Sequence, residues 1–271
     1  MTLPAPSDTT AALVTGASAG IGTELARQLA RRGHNLVLVA RRKDRLDAVA
    51  QELSEAHGIR AETLGCDLGK PASRDRLHGR VDSLGLEIEI LVNNAGFATG
   101  GAFHQADPDR ELEQVRVLVE APVALTSAFV PDMVRNGRGA ILNVASIAGM
   151  QPLPYSAGYS AAKAYVLTFS EALHQELSGL GVTVTALAPG PVSTDFWAVA
   201  GWEAAGRSFE SAVPRPVWVT ADQAARAAIE GLDSGDRVVV PGMPIRTAML
   251  ASRYLPHALK LPVIERVMRR R

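Results

Sequence analysis

The chain has 271 residues, with 28 basic and 28 acidic side chains and one cysteine, Cys66. The length fits a single large domain, and the balanced charge gives no field that would attract nucleic acid. One cysteine excludes an internal disulfide, leaves no Cys/His cluster with zinc spacing and is typical of a reducing compartment. Residues 1–10, expected to be flexible, lack a signal-peptide pattern, and no stretch reaches the ~18 apolar residues of a membrane span. We therefore expect a cytoplasmic protein without a metal site.

Short apolar runs alternate with longer helical patterns along residues 11–242, which predicts repeated β-α-β units and a parallel sheet. The predicted strands are residues 12–15, 36–40, 60–64, 88–92, 140–145, 183–188 and 237–240. The predicted helices are residues 21–32, 43–57, 71–84, 110–135, 155–178 and 221–232. Left-handed caps are expected after four of the helices, at Gly33, Gly58, Gly137 and Gly179. This order predicts one doubly wound, Rossmann-like α/β domain with a seven-stranded parallel sheet and ligands beyond the carboxyl ends of the strands.

A glycine-rich turn joins the first predicted strand to the first predicted helix. From Thr15 the sequence reads Thr-Gly-Ala-Ser-Ala-Gly-Ile-Gly. Unpaired backbone amides at a helix N-terminus bind phosphate, and glycines let a pyrophosphate approach the backbone. The turn therefore predicts a dinucleotide site formed by Gly16, Ser18, Gly20, Ile21 and Gly22.

Arg41 and Arg42 follow the second predicted strand, where a side chain can reach the ribose of a bound dinucleotide. An arginine there binds a 2′-phosphate that an acidic residue would repel, so the position favours NADP(H). The alternative is that both arginines only solvate the start of the next helix. Residues at the carboxyl ends of the third and fourth strands are predicted to line the adenine and its ribose: Asp67, Asn93, Ala95 and Gly96.

A second candidate set lies later in the chain. Tyr159 and Lys163 are four residues apart in Tyr-Ser-Ala-Ala-Lys, thirteen residues after Ser146, and a helix places residues at that spacing on one face. A phenol titrates near ~10, and a nearby cation favours the ionised form, so this lysine is expected to make the tyrosine a useful acid or base. The alternative is a surface helix that happens to carry both residues. The glycine turn in the same chain favours the catalytic interpretation.

Together these motifs resemble the short-chain dehydrogenase/reductase family over roughly residues 11–242. The matching motifs are Thr15-Gly16-x-x-x-Gly20-x-Gly22, Asn93-Asn94-Ala95-Gly96, Ser146, Tyr159-x-x-x-Lys163 and Pro189-Gly190. Each motif is short, but their joint order and spacing are specific. The resemblance implies an NADP(H)-dependent carbonyl reductase, or the reverse alcohol dehydrogenase, that is a homodimer or homotetramer.

The resemblance also implies roles for individual residues. Tyr159 would be the general acid toward a carbonyl, Ser146 would hydrogen-bond the substrate oxygen, and Lys163 would hold the cofactor ribose. Thr194 would hold the nicotinamide carboxamide. The adjoining residues implied to bind the cofactor are Pro189, Gly190 and Val192.

One position departs from the family pattern, which usually has a catalytic asparagine in Val-Asn-x-x-Ala-Pro. Residues 117–122 read Val-Leu-Val-Glu-Ala-Pro, so Leu118 stands where the asparagine would hold a water that connects the lysine to solvent. Three alternatives follow: activity by another proton route, slow turnover or a less demanding substrate, or an NADP(H)-binding regulatory or interaction protein with little turnover. The intact Ser146, Tyr159 and Lys163 favour retained activity, at a full or reduced rate.

Residues 189–216 show no clear period, and tryptophans 197, 202 and 218 lie in or just beyond this segment. We interpret it as a lid over an apolar substrate; the alternative is that its indoles pack on the domain or a subunit interface. No arginine lies between Gly149 and Gly206 to bind a carboxylate or phosphate. The predicted substrate is a bulky uncharged ketone, aldehyde or alcohol. The predicted pocket comprises Leu118, Met150, Leu153, Tyr155, Phe196, Trp197 and Trp202.

Residues 243–271 form a basic tail that contains seven arginines and lysines but only one acidic residue, Glu265. The pattern is weakly amphipathic and is broken at Pro256 and Pro262. It fits weak contact with an anionic membrane surface or a phosphorylated ligand. The alternative, a solvated terminus, is favoured slightly.

Overall fold

The computed structural model describes residues 3–194, 196, 215–252 and 256–268. Its strands are β1 Thr10–Thr15, β2 Asn35–Ala40, β3 Ala61–Gly65, β4 Glu87–Asn93, β5 Gly139–Val144, β6 Val182–Leu187, β7 Val192–Ser193, β8 Val219–Thr220 and β9 Val238–Val239. Within the described residues, seven strands form one parallel sheet in the order β3-β2-β1-β4-β5-β6-β9. The strand order reverses between β1 and β4, which confirms the doubly wound prediction.

Helices cover both faces of this sheet. They are α1 Gly20–Ala30, α2 Lys43–His57, α3 Pro71–Asp82, α4 Pro108–Val115, α5 Ala121–Arg135, α6 Ala157–Leu177, α7 Ala221–Ser234, α8 Met243–Ser252 and α9 His257–Met268. Leu25, Leu46 and Ile229 of α1, α2 and α7 pack on one face. Leu77 and Phe129 of α3 and α5 pack on the other, together with apolar residues of α6. Each fully buried side chain of this size contributes roughly 1.5–3 kcal/mol.

Glycines end several helices where the sequence predicts them. Gly33, Gly58 and Gly137 have positive φ angles. The prediction for Gly179 is wrong, because a 3-10 turn at Ser178–Leu180 extends the end of α6. The left-handed position then falls on Gly181, with a φ angle of 80°.

Two helices differ most clearly from the sequence prediction. The helix predicted from residue 155 begins at Ala157, because Tyr155 has a left-handed φ of 63°. The helix predicted at 110–135 is interrupted by a π-helical turn at Arg116–Glu120. Near the N-terminus, the backbone N–H of Leu3 donates to Asp233 at 2.9 Å, and the flexibility of residues 1–10 stays a prediction.

One helix in the described part of the chain, residues 108–135, is long and apolar enough to cross a membrane by length and composition. The sequence shows no run of ~18 consecutive apolar residues there, since Glu120 and Asp132 interrupt the apolar segment. Leu125, Phe129 and Met133 of this helix lie in the core beside the sheet. This packing is that of a core helix.

The ends of the predicted lid are held together by a separate pair of strands. Val192 of β7 pairs with Val219 of β8 in parallel. The predicted basic tail contains α8 and α9. Both segments lie at the edge of the sheet where the candidate site is found.

Candidate active site

The glycine turn forms a cradle at the N-terminus of α1. Gly16 and Gly20 have positive φ angles of 67° and 60°. A Cβ on Gly16 would lie 2.8 Å from Cα of Ala95, and a Cβ on Gly22 would collide with the Gly16 carbonyl. α1 begins at Gly20 and has no side-chain cap, so its first amides remain available. A backbone cradle with exposed helix amides fits the pyrophosphate of a dinucleotide.

Asn94, which the sequence analysis did not assign, fixes the turn to β4. Its backbone N–H donates to the Thr15 hydroxyl and its side-chain amide to the Thr15 carbonyl, both at 2.9 Å. The side chain of the predicted cofactor residue Asn93 instead points into the sheet, where it donates to Asn143 at 2.9 Å. Successive residues of a strand point to opposite faces, and this alternation could have separated the two asparagines.

Arg41 and Arg42 lie beside the turn. The Arg42 guanidinium donates to the hydroxyl of Ser18 at 3.2 Å. Arg41 is exposed and forms an ion pair with Glu113 of α4 at 3.4 Å, a partner the sequence did not indicate. The carboxylate of Asp67, after β3, accepts the backbone N–H two residues further on at 3.1 Å. Two arginines near the cradle fit the phosphate of NADP(H).

A glycine brings Ser146 and α6 together. Ser146 begins the 3-10 turn Ile147–Met150 and accepts a backbone N–H of that turn at 3.1 Å. A Cβ on Gly149 would lie 2.5 Å from the backbone carbonyl carbon of Lys163. Only glycine therefore lets this turn pack directly on the helix that carries Tyr159. The sequence analysis missed Gly149, because the requirement arises from a contact between segments that are distant along the chain.

Tyr159 and Lys163 lie one turn apart on α6, and both are buried. Burial raises the pKa of Tyr159 to about 12, and a hydrogen bond with Ser146 offsets part of that effect. Burial also lowers the pKa of Lys163 to about 8. The lysine Nζ lies 5.8 Å from the tyrosine ring centroid and donates to the Val144 carbonyl at 2.6 Å. Burial is thus the largest influence on the pKa of both groups in the folded chain, and the effect of Lys163 on the ionisation of Tyr159 stays a prediction.

Leu118 lies in the π-helical turn and is almost fully buried. Its Cδ2 lies 2.8 Å from the position that a Cβ on Gly96 would occupy. The Nζ of Lys163 lies 3.9 Å from that same position. Leu118 is thus placed near Lys163, as the comparison with the family's asparagine implied.

Arg74 of α3 binds the π-helical turn through two contacts. This buried side chain donates to the carbonyl of Arg116 at 3.2 Å and to that of Leu68 at 3.1 Å. It also pairs with Glu120 at 3.0 Å. One guanidinium therefore connects the loop after β3 to the turn that carries Leu118. This role could not be predicted from the sequence, since nothing near Arg74 in the chain belongs to a motif.

The segment after β6 borders the cradle. The side chain of Thr194 lies 3.3 Å from the position of a Cβ on Gly20. Val192 packs near Ile21 of α1, and the carbonyl of Pro189 accepts a backbone N–H from the turn after Ser146 at 3.1 Å. The predicted residues of this segment therefore lie between the cradle and the serine: Pro189, Gly190, Val192 and Thr194.

Tyr159 belongs to an apolar cluster, called here the Tyr159 cluster. Its buried members are Ala98, Leu118, Ala148, Tyr159, Ala162 and Met268, and the partly buried side chains packed on it are Val119, Leu153, Tyr155, Phe196 and Ile264. The Phe196 ring centroid lies 5.9 Å from that of Tyr159. Four of the predicted pocket residues, at positions 118, 153, 155 and 196, meet in this cluster. Met150 is not among the described members, and Trp197 and Trp202 lie outside the described residues.

The fold and the site together define a class of protein. A glycine cradle, two arginines and a buried serine–tyrosine–lysine set share the carboxyl edge of a doubly wound sheet, as in dinucleotide-dependent enzymes. The sequence model for the family described as short chain dehydrogenase matches residues 10–203. The chain belongs to this family.

Curated relatives include two proteins named very-long-chain 3-oxoacyl-CoA reductase. The protein from Anas platyrhynchos is 36% identical over 189 residues, which cover 68% of this chain and 60% of the relative. The protein from Homo sapiens is 36% identical over 187 residues, which cover 68% of this chain and 59% of the relative. The matched region thus spans about three fifths of the length of these relatives.

Solved structures match more of the chain. A short-chain dehydrogenase from Sphingobium yanoikuyae in complex with NADPH has 34% identity and a TM-score of 0.79, over 94% of this chain and 95% of that one. A bulky-bulky ketone specific alcohol dehydrogenase from Comamonas testosteroni has 29% identity and a TM-score of 0.75, over 92% of this chain and 100% of that one.

Proposed function

We propose that this protein is an NADP(H)-dependent oxidoreductase that transfers a hydride between nicotinamide and a bulky, uncharged ketone or aldehyde, or the corresponding alcohol. The observation that carries the proposal is the burial of Ser146, Tyr159 and Lys163 together next to the glycine cradle. Arg41 and Arg42 favour the phosphorylated cofactor. A cytoplasmic location and weak contact of the basic tail with an anionic membrane stay predictions.

Tyr159, Ser146 and Lys163 would each have a different role in the transfer of the proton. A bound nicotinamide supplies or accepts the hydride. Tyr159, with its pKa raised to about 12, is protonated near neutral pH and can donate its proton to a carbonyl oxygen. The Ser146 hydroxyl hydrogen-bonds the same oxygen, and the ammonium of Lys163 favours the phenolate that remains. A general acid of this kind contributes ~10² to 10⁴-fold to the rate.

The surroundings of Tyr159 support an apolar substrate. The cluster around it consists of aliphatic and aromatic side chains. Burying apolar area contributes about 25 cal/mol per Å², whereas an unpaired carboxylate in such a site is penalised. The relatives support bulk and a ketone group rather than the absence of charge. One group is named very-long-chain 3-oxoacyl-CoA reductase, whose acyl chain is long but whose CoA carries phosphates, and a solved neighbour is named for bulky-bulky ketones.

A second candidate function is a regulatory or interaction protein that binds NADP(H) with little turnover, and Leu118 favours it. Purified protein would be incubated with NADPH and a panel of bulky ketones, a long-chain 3-oxoacyl thioester and small keto acids, while nicotinamide absorbance is followed. We expect turnover of the bulky uncharged ketones, and loss of most turnover but little cofactor affinity in Tyr159→Phe. Tight NADPH binding without turnover of any carbonyl would refute the enzyme and support the regulatory alternative.

A further inference from the structure

The last described helix, α9, takes part in the Tyr159 cluster. Met268 is buried in that cluster and Ile264 packs against it. The two residues are four apart, so they lie on one face of the helix. The basic tail, for which a solvated terminus was slightly favoured, therefore has an inward face that covers the site.

The opposite face of the same helix is open to solvent. Leu259 and Val263 are each 64% exposed. They are also four residues apart, so α9 has one apolar pair directed toward the cluster and another directed away from it. The exposed pair therefore serves as a control for the inward pair. Both pairs are apolar and lie on one helix, but only the inward pair contacts the Tyr159 cluster.

The cluster leaves the catalytic tyrosine well covered. Tyr159 is 7% exposed, and its neighbours include Phe196 from the segment that begins the predicted lid. A substrate carbonyl that reaches the tyrosine hydroxyl must bring its substituents in among the cluster side chains. The volume of these side chains then decides which substituents fit, because close-packed sites respond even to single methylene groups.

We propose that Ile264 and Met268 of α9 form a wall of the substrate pocket and limit the bulk of the ketone that can be placed over Tyr159. The role is one of substrate specificity and rests on the proposed function. It assigns the tail a part in substrate choice, in addition to the part predicted for the lid after β6. The wall is apolar on its inner face, so among uncharged ketones it selects by size.

The test compares two uncharged ketones, one with a methyl and a phenyl substituent and one with two phenyl substituents. Met268→Ala and Ile264→Ala should each raise the ratio of kcat/KM for the bulky over the small ketone by about tenfold, since a methylene-sized change in a pocket is worth 10- to 200-fold. Met268→Phe should lower that ratio. Val263→Ala, on the exposed face, should leave it unchanged. An unchanged ratio in Met268→Ala, or an equal rise in Val263→Ala, would overturn the proposal.

A second measurement does not depend on turnover. Nile red, a neutral apolar dye, would be titrated into the wild type and the variants without cofactor, with thermal unfolding recorded for each. We expect stronger dye binding in Met268→Ala than in the wild type or in Val263→Ala, at a melting temperature that shows a folded protein. Equal binding in all three proteins would refute the wall. If the wild type reduces no ketone, the proposed function fails, and the dye comparison still decides the role of α9.

Discussion

Desolvation shifts the pKa values of two buried side chains, Tyr159 and Lys163, in opposite directions. It raises the pKa of the Tyr159 phenol to about 12 and lowers that of the Lys163 ammonium to about 8. The neutral form of each group is therefore favoured in the folded chain. Such a site holds the tyrosine proton ready for donation, and the lysine charge that would stabilise the phenolate is itself costly to bury.

The buried lysine predicts an unusual dependence of stability on pH. The ordinary pKa of a lysine is 10.5, and that of Lys163 is about 8. Between these values the unfolded chain binds one proton more than the folded chain, so the free energy of unfolding should rise with pH. The window ends near pH 10, where the unfolded tyrosine begins to ionise and Tyr159, with its raised pKa, reverses the trend. Urea unfolding across this range should show a rise of up to about 3 kcal/mol.

Replacing the lysine isolates this contribution. Lys163→Met should abolish the rise between pH 8 and pH 10 and should stabilise the cofactor-free protein at neutral pH. Lys70→Met removes a lysine whose side chain is 76% exposed and serves as the matched control. Parallel pH profiles for the wild type and Lys163→Met would show that the ammonium carries no desolvation penalty.

Cofactor choice is also decided by single residues. Arg41→Asp should weaken NADPH binding far more than NADH binding, because it removes a charge-assisted contact and adds repulsion at the 2′-phosphate. A hydrogen bond to a charged group is worth about 1.5–3 kcal/mol, so the NADPH dissociation constant should rise roughly tenfold or more. Calorimetric titration of both cofactors measures this, with Arg135→Asp as a control at an exposed site. Equal losses for the two cofactors would mean that Arg41 does not bind the phosphate.

At the scale of elements, the long helix before β5 changes character at the site. It is α-helical on both sides of Arg116–Glu120, where a π-helical turn carries Leu118 toward Gly96. The buried guanidinium of Arg74 holds that turn through the Arg116 carbonyl. Single π-helical turns occur frequently at functional sites. The residue that departs from the family pattern thus lies where the regular α-helix is interrupted.

This structure predicts the effect of restoring the family residue. Leu118→Asn should not raise kcat, because the leucine methyl fills the space beside Gly96 and Lys163 already donates to the Val144 carbonyl. It should lower the free energy of unfolding by roughly 2 kcal/mol or more, since a buried apolar side chain is exchanged for a polar amide. Steady-state kinetics and urea unfolding measure both effects, with Leu118→Met as the volume-conserving control. A clear increase in kcat would show instead that the chain lacks a proton relay.

At the scale of the whole molecule, the features that could be predicted from the sequence are those that local patterns of residues determine. The glycine turn and Tyr159 with Lys163 are local motifs, and apolar runs such as residues 36–40 mark buried strands whatever packs on them. The roles of Gly149 and Glu113 were not predicted, because they arise from contacts with segments that are distant along the chain. The packing of α9 on the Tyr159 cluster was not predicted for the same reason. The weak apolar periodicity of this segment does not indicate which part of the molecule the helix contacts.

The exposed surface of the molecule predicts self-association. Leu112 and Val115 of α4 and Tyr165 of α6 are between 40% and 52% exposed, and Tyr165 stacks on Phe169 at 5.9 Å. These side chains lie on two helices that pack against each other, and exposed apolar side chains of this kind are typical of an interface. We therefore expect a homodimer or homotetramer that buries these side chains, and sedimentation equilibrium at micromolar concentration should give a multiple of the chain mass.

The interface can be located by introducing charge. Tyr165→Glu combined with Val115→Glu should produce monomers, because unpaired carboxylates would be buried between subunits. Leu180→Glu is the matched control, since Leu180 is 48% exposed but lies beyond α6, in the 3-10 turn. It should leave the mass of the assembly unchanged. A wild type that sediments as one chain would contradict the prediction, and a charged double variant that still associates would place the contact on another face.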